Sequence, residues 1–200
     1  MRLTRPFALA AAMLVALGCN NKRVSRIDPN SVTDLSGRWN DVDSRLVANA
    51  LITQSLSAPW VARHTAAGGG ATPAVIVGDF RNKTMEHIAV ATFVRDLERA
   101  YVQSEAVRVV ASRGEREEVR AERTDQQQHA AAPTRASLGM EQGARFMLQG
   151  DVMAIEDEEG RERVVYYQID ATLLDLESNE KVWVGQHRIK KYIDRRRIGW

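Results

Sequence analysis

The segment VVYYQIDATLLDL, Val164 to Leu176, changes character at every residue. Val165, Tyr167, Ile169, Ala171 and Leu173 form one set, and Tyr166, Gln168, Asp170 and Thr172 lie between them. A β-strand sends successive side chains to opposite faces, so this period of two predicts a strand with one buried face and one polar face. The upstream run ARFMLQGDVMAI, Ala144 to Ile155, divides the same way. Phe146, Leu148, Val152 and Ala154 oppose Gln149, Asp151 and Met153, and DEEG then marks a turn. Downstream, ESNE links the first segment to KVWVGQHRI, Lys181 to Ile189, and so predicts an antiparallel C-terminal hairpin. A sheet that keeps one face polar takes helices on its other face only.

The N-terminal half supplies those helices. AVIVGDF, Ala74 to Phe80, is short and β-branched and reads as a strand buried on both sides. RNKT turns the chain, and Thr84 is the expected cap of a helix. Its Val90, Phe93, Val94, Leu97 and Tyr101 recur at helical spacing. VRVVAS, Val107 to Ser112, is the next strand, which makes a right-handed βαβ unit. The fold class is therefore α/β: a two-layer sandwich, with a mixed sheet of about five strands and helices on one face.

Other segments are less regular. A first helix is expected from near Asp43, capped by Asp41 or Asp43, with Val47, Ala50 and Leu51 inward, ending before Pro59. HTAAGGGATP, His64 to Pro73, reads as a loop, because three consecutive glycines are entropically costly in regular structure. REREEVRAERTDQQQHAA has helical composition but a thin apolar side, so it belongs on the surface. Gly139 to Gly143 reads as a short link with a helical turn, and KKYIDRRRIGW as a basic, frayed tail.

Composition narrows the chemistry. In 200 residues, 44% are hydrophobic and 27% charged, which suits one folded domain. Only 6% are aromatic, and the net charge of +2 falls to near zero without Arg2 and Arg5. Neither feature suits base stacking or a field that holds nucleic acid. His64, His87, His129 and His187 lack metal-ligand spacing, and Cys19 is the single cysteine. The glycines at 68 to 70 precede a strand and lack the Lys-Ser/Thr of a phosphate loop. No nucleophile elbow is present, and Glu115, Glu117 and Glu118 sit among arginines that keep them charged. The sequence thus points to no catalytic residue, metal, cofactor or small-molecule substrate.

Residues 1–18 carry Arg2 and Arg5 ahead of FALAAAMLVALG, an apolar run too short to span a bilayer and of signal-peptide length. With Gly18 and Cys19 this segment resembles a bacterial lipoprotein signal, in which cleavage precedes a cysteine that becomes lipidated. Ala16 and Leu17 stand in the reverse of the usual order. The polar Asn20, Asn21, Lys22 and Arg23 argue against burial of the thiol. Asn20 after the cysteine resembles the signal for outer-membrane delivery. Residues 19–38 read as a lipid-anchored flexible tether, 39–193 as the folded domain and 194–200 as a basic tail.

Three segments carry a family resemblance: WNDVDSR (Trp39 to Arg45), GDFRNKTMEHI (Gly78 to Ile88) and ERTDQQ (Glu122 to Gln127). With GARFMLQGDV and EKVWVGQHRIKKYI in the same order, the chain resembles the LpoB family. These are outer-membrane lipoproteins that activate bifunctional penicillin-binding proteins. The resemblance implies a non-enzymatic, periplasm-facing lipoprotein with a fold similar to the N-terminal domain of TolB, stimulating peptidoglycan synthesis. The alternative is a structural envelope lipoprotein of the TolB or CsgG type, acting in assembly or secretion. Where the best-characterised members have a long Pro-rich tether, here roughly twenty residues separate Cys19 from Trp39, a reach of about 70 Å fully stretched. Beside the lipid anchor at Cys19, the expected partner-binding residues are those of the open polar sheet face: Gln149, Asp151, Tyr166, Gln168 and Asp170. Rigid strands position contact groups better than loops, and a tyrosine suits an interface anchor.

Overall fold

The computed structural model of the protein describes residues 23–194, so the signal segment, Cys19 and Arg195 to Arg197 lie outside the described residues. The chain divides into two units, the first ending at Val32 and the second beginning at Thr33. In the described part of the first, Asp28 closes a turn by accepting from the Asn30 amide at 2.8 Å.

The second unit runs α1 (Asp41–Ser57), α2 (Trp60–Ala67), β1 (Ala74–Asn82), α3 (Val90–Ser104), β2 (Arg108–Val109) and α4 (Arg113–His129). A 3-10 turn at Ala132–Thr134 precedes β3 (Phe146–Glu159), β4 (Glu162–Asp175) and β5 (Lys181–Asp194). The five strands form one mixed sheet in the order β2-β1-β3-β4-β5. β1 is parallel to β2 and β3, while β3, β4 and β5 are antiparallel. The α/β two-layer architecture, with its C-terminal hairpin, is as the residue pattern requires.

The inner face of the sheet holds the core. Val165, Tyr167, Ile169, Ala171 and Leu173 are fully buried, opposite Leu148 and Val152 of β3 and under Val47 and Leu51 of α1 and Phe93, Leu97 and Tyr101 of α3. Each large side chain taken from water contributes about 1.5–3 kcal/mol, so this layer dominates stability. Two glycines let rings lie flat across the strands. A Cβ on Gly150 would stand 2.1 Å from the Asp170 carbonyl oxygen and 2.5 Å from the Phe80 ring, and one on Gly185 would strike the Trp183 ring.

Several boundaries differ from those the sequence suggests. Asn40 caps α1, accepting from the Val42 and Asp43 amides, and Asp43 returns a carboxylate to the Asn40 amide. Asp41 and Asp43 therefore belong to the first turn, where acidic groups favour the helix dipole. Ala48 and Ile52 are buried beside Val47 and Leu51, whereas Ala50 is only half-buried.

His64 to Ala67 are helical. α2 is anchored by Trp60, whose indole N–H donates to the Ser55 carbonyl at 2.7 Å, and by the edge contact of Trp60 and His64 with Phe146. The glycine run ends that helix, with Gly69 and Gly70 at positive φ. Thr84 does not cap α3, which starts after Ala89 with no side-chain cap. The Thr84 hydroxyl instead bonds Asn82 within the preceding turn.

β2 is only two residues long, because Ser112 and Glu115 form a capping box that starts α4 and draws the chain off the sheet. β3 runs through Asp157 to Glu159, since Val164, Arg163 and Glu162 continue the ladder, and the turn is Gly160-Arg161. The helical turn after α4 lies at Ala132–Thr134 rather than in Gly139 to Gly143. Lys190 to Asp194 are strand, not frayed tail: Ile193 packs on the core, and Lys191 bonds Asp43 at 2.6 Å and Asp34 at 2.8 Å. As expected, α4 buries none of its side chains.

Candidate interaction face

The face of β3–β5 opposite the core gathers all five polar residues expected there. Asp151 stands directly across from Asp170, Gln149 from Thr172, and Tyr166 and Gln168 precede Asp170 on the same face of β4. All five are half-buried, each partly covered by its neighbours. Two like charges in directly opposed positions repel, and the structure separates their partners. Asp151 turns toward β1, where Arg81 reaches it at 2.8 Å and Lys83 at 3.0 Å. Asp170 turns toward β5, accepting from Gln186 at 2.8 Å and from Gln168 at 3.0 Å. Partial burial pushes the Asp151 carboxyl up, but the hydrogen bonds from Lys83 and Arg81 outweigh it and hold the group below the ordinary carboxylate range. The result is a rigid polar surface, bounded by exposed Ile155, Val184 and Tyr192.

What this face offers is hydrogen-bonding groups and charge. Among the described residues no cluster of three His, Cys, Asp or Glu side chains could hold a metal ion. Among the same residues no helix is long and apolar enough to cross a membrane.

A second polar constellation lies at the opposite surface of the sheet, under the loop after β1. Glu86 is nearly buried; its carboxylate accepts from the Tyr167 hydroxyl at 2.8 Å and the Trp39 amide at 3.2 Å. Arg163 approaches the other oxygen at 3.7 Å and pairs with Glu156. Burial, and then the Glu86 carboxylate beside it, raise the Tyr167 hydroxyl well above its ordinary range, so it stays a donor. Trp39 stacks edge-on against Tyr167 and Phe93, and its indole N–H donates to Ser44.

The protein-family model for the peptidoglycan-synthase activator LpoB matches residues 43–189, most of the chain. The chain belongs to the LpoB family. Comparison with curated proteins gave no match. Among solved structures, the LpoB C-terminal domain from Salmonella enterica is similar at 17% identity over 74% of this chain and 99% of that one, with a TM-score of 0.42. The Escherichia coli LpoB C-terminal domain is similar at 16% identity over the same shares, with a TM-score of 0.43. Lipoprotein GNA1162 from Neisseria meningitidis shares 18% identity over 60% of this chain and 83% of its own, with a TM-score of 0.37.

The LpoB-like segments meet in space in a way their order does not disclose. WNDVDSR and GDFRNKTMEHI come together through the Trp39–Glu86 bond, so these residues close one end of the core. ERTDQQ lies on α4, where Arg123 pairs with Glu141 and Gln126 and Gln127 bond the Ala136 backbone, fastening the long segment before β3. The buried Glu86–Arg163–Tyr167 group escaped the reading of the sequence. A signal was there: Arg163 and Lys191 occupy inner-face register positions, where an alternating strand should be apolar.

Proposed function

We propose that this chain is a lipid-anchored outer-membrane protein that binds a bifunctional penicillin-binding protein in the periplasm and stimulates its synthesis of peptidoglycan. Family membership across residues 43–189 carries the reading. The polar face with Gln149, Asp151, Tyr166, Gln168 and Asp170 is the docking surface. Its groups are already ordered by their mutual hydrogen bonds, so binding costs little side-chain entropy. The chain acts by contact and performs no chemistry of its own. Cys19 is the lipidated residue that keeps the domain at the membrane.

The test is glycan polymerisation by a purified bifunctional penicillin-binding protein, with and without the full chain. The rate rises with the wild type. Tyr166→Ala and Asp170→Arg weaken binding by more than about tenfold while the melting transition stays nearly unchanged. An unaltered rate together with self-assembly of the chain supports the structural envelope role instead, and wild-type binding by both variants moves the contact off this face. For the anchor, Cys19→Ala should lose incorporation of a fatty-acid probe in cells; equal labelling of variant and wild type rules lipidation out.

A further inference from the structure

β2 is the outermost strand at one side of the sheet. The Arg108 amide donates to the Pro73 carbonyl at 2.9 Å and the Val110 amide to the Val75 carbonyl at 2.8 Å. Strand backbone alternates, so the N–H and C=O of Val109, between them, point away from β1. Alongside runs a groove of about 610 Å³ bounded by Val107 to Ala111, α3, α4 and the segment at Met140. Its apolar lining is open to solvent: Val102 is 58% exposed, Val119 44% and Met140 77%.

The charge around this groove is one-sided. Arg108, Arg116 and Arg123 line it, and Glu141 is the one carboxylate among the described lining residues. Glu141 is taken up by Arg120 at 2.7 Å and Arg123 at 3.0 Å. Among the described residues Arg108 and Arg116 donate to backbone carbonyls, those of Thr72 and Ala111, and form no ion pair, although Arg116 lies near enough to help lower the Glu141 carboxyl. An unpaired strand edge, an apolar floor and surplus guanidinium charge stand together.

We propose that this groove captures an extended peptide segment of alternating apolar and acidic residues, which adds as a further strand beside β2. Backbone pairing with Val109 supplies register, and alternate side chains enter the floor formed by Val102, Val119 and Met140 or meet Arg108 and Arg116. A second copy of this chain is the poorer occupant, because pairing two β2 edges about Val109 brings two arginine-lined grooves together, and like charges drawn close across strands repel. A simple polyanion would use the arginines but neither the edge amide nor the apolar floor. This site is independent of the polar face of β3–β5 and stands or falls apart from it.

The experiment is fluorescence anisotropy of the full chain with a labelled peptide of alternating Val and Asp, about eight residues long, the length of an ordinary strand. Saturable binding is expected, and a Val-Lys peptide should not bind. Val109→Pro removes the outward amide without touching a bond to β1, which edge strands tolerate. It should weaken binding by more than about tenfold, as should Arg116→Glu. N-methylating alternate peptide amides should do the same with the protein unchanged, which keeps the test valid if a variant misfolds. The proposal fails if the Val-Asp peptide shows no binding up to about 1 mM, the weak limit of useful recognition. Equal binding of the N-methylated peptide also overturns it, as a polyanion site would give, and so does a wild-type dimer that Val109→Pro dissociates.

Discussion

The two faces of β3–β5 share a backbone and differ in how their side chains are held. On the inner face Leu148, Val152, Val165, Ile169 and Leu173 are fully buried, and shape decides everything, down to a glycine where a ring crosses. On the outer face Asp151, Gln168, Asp170 and Gln186 are held by directed bonds that water can partly replace. Removing atoms from the first leaves a cavity that the lattice of neighbours cannot fill. Removing atoms from the second exchanges a protein partner for a solvent one, at a net cost of about 1 kcal/mol per hydrogen bond. The same three strands thus keep an apolar packed face and a polar hydrogen-bonded face that can be altered separately.

The separation is open to attack, and the largest effect belongs to Gly150→Val. The new Cβ meets the backbone oxygen of Asp170, which cannot rotate away, so the strands must part. A loss of more than about 3 kcal/mol is expected, at the upper end of overpacking costs. It should appear in thermal denaturation as a lost or greatly lowered cooperative transition. A wild-type melt would show that β3 and β4 are less closely joined than described.

A smaller contrast compares truncations on opposite faces of β4. Ile169→Ala should cost about 2–5 kcal/mol, because the buried site cannot fully collapse. Tyr166→Ala, three positions earlier and half-buried, should cost less than about 1 kcal/mol, within the range of substitutions away from a packed core. Urea denaturation of both variants measures the difference, and equal costs would abolish the distinction between the faces.

The smallest effect is acid sensitivity confined to the outer face. The folded Asp151 carboxyl titrates below its ordinary 3.8, so its pairing with Arg81 and Lys83 contributes stability that is complete above the unfolded value. That contribution is lost as pH falls through 3.8 toward the folded value. Both cationic partners are largely exposed, so the contribution is under about 1 kcal/mol. Asp151→Asn should flatten this part of the acid limb in melts taken between neutral pH and the acid end. An unchanged slope would mean that the pair adds nothing to folding.

Arg163 and Lys191 show where the reading of single strands stops. Their register places them inside, but nothing local tells what receives the charge. Glu156 meets Arg163 across the β3–β4 hairpin, but Glu86 reaches Arg163, and Asp34 and Asp43 reach Lys191, from segments far apart in the chain. The five residues of the outer face were legible because alternation alone sets a strand's polar side. Their division into an Asp151 group and an Asp170 group was not, because it depends on which strand lies beside each.

By itself the sequence determined the alternating faces of β3 and β4, the amphipathic α3, the exposed α4 and the family. All of these follow from periodicity or from residues close along the chain. Only the tertiary structure decided that His64 to Ala67 are helical and that Lys190 to Asp194 complete β5. The physical reason is common to both: local preference there is weak, and a distant partner settles the conformation. Lys191 reaches back to Asp43 of the first helical turn, Phe146 receives Trp60 and His64, and the ladder with β4 holds Lys190 to Asp194 extended.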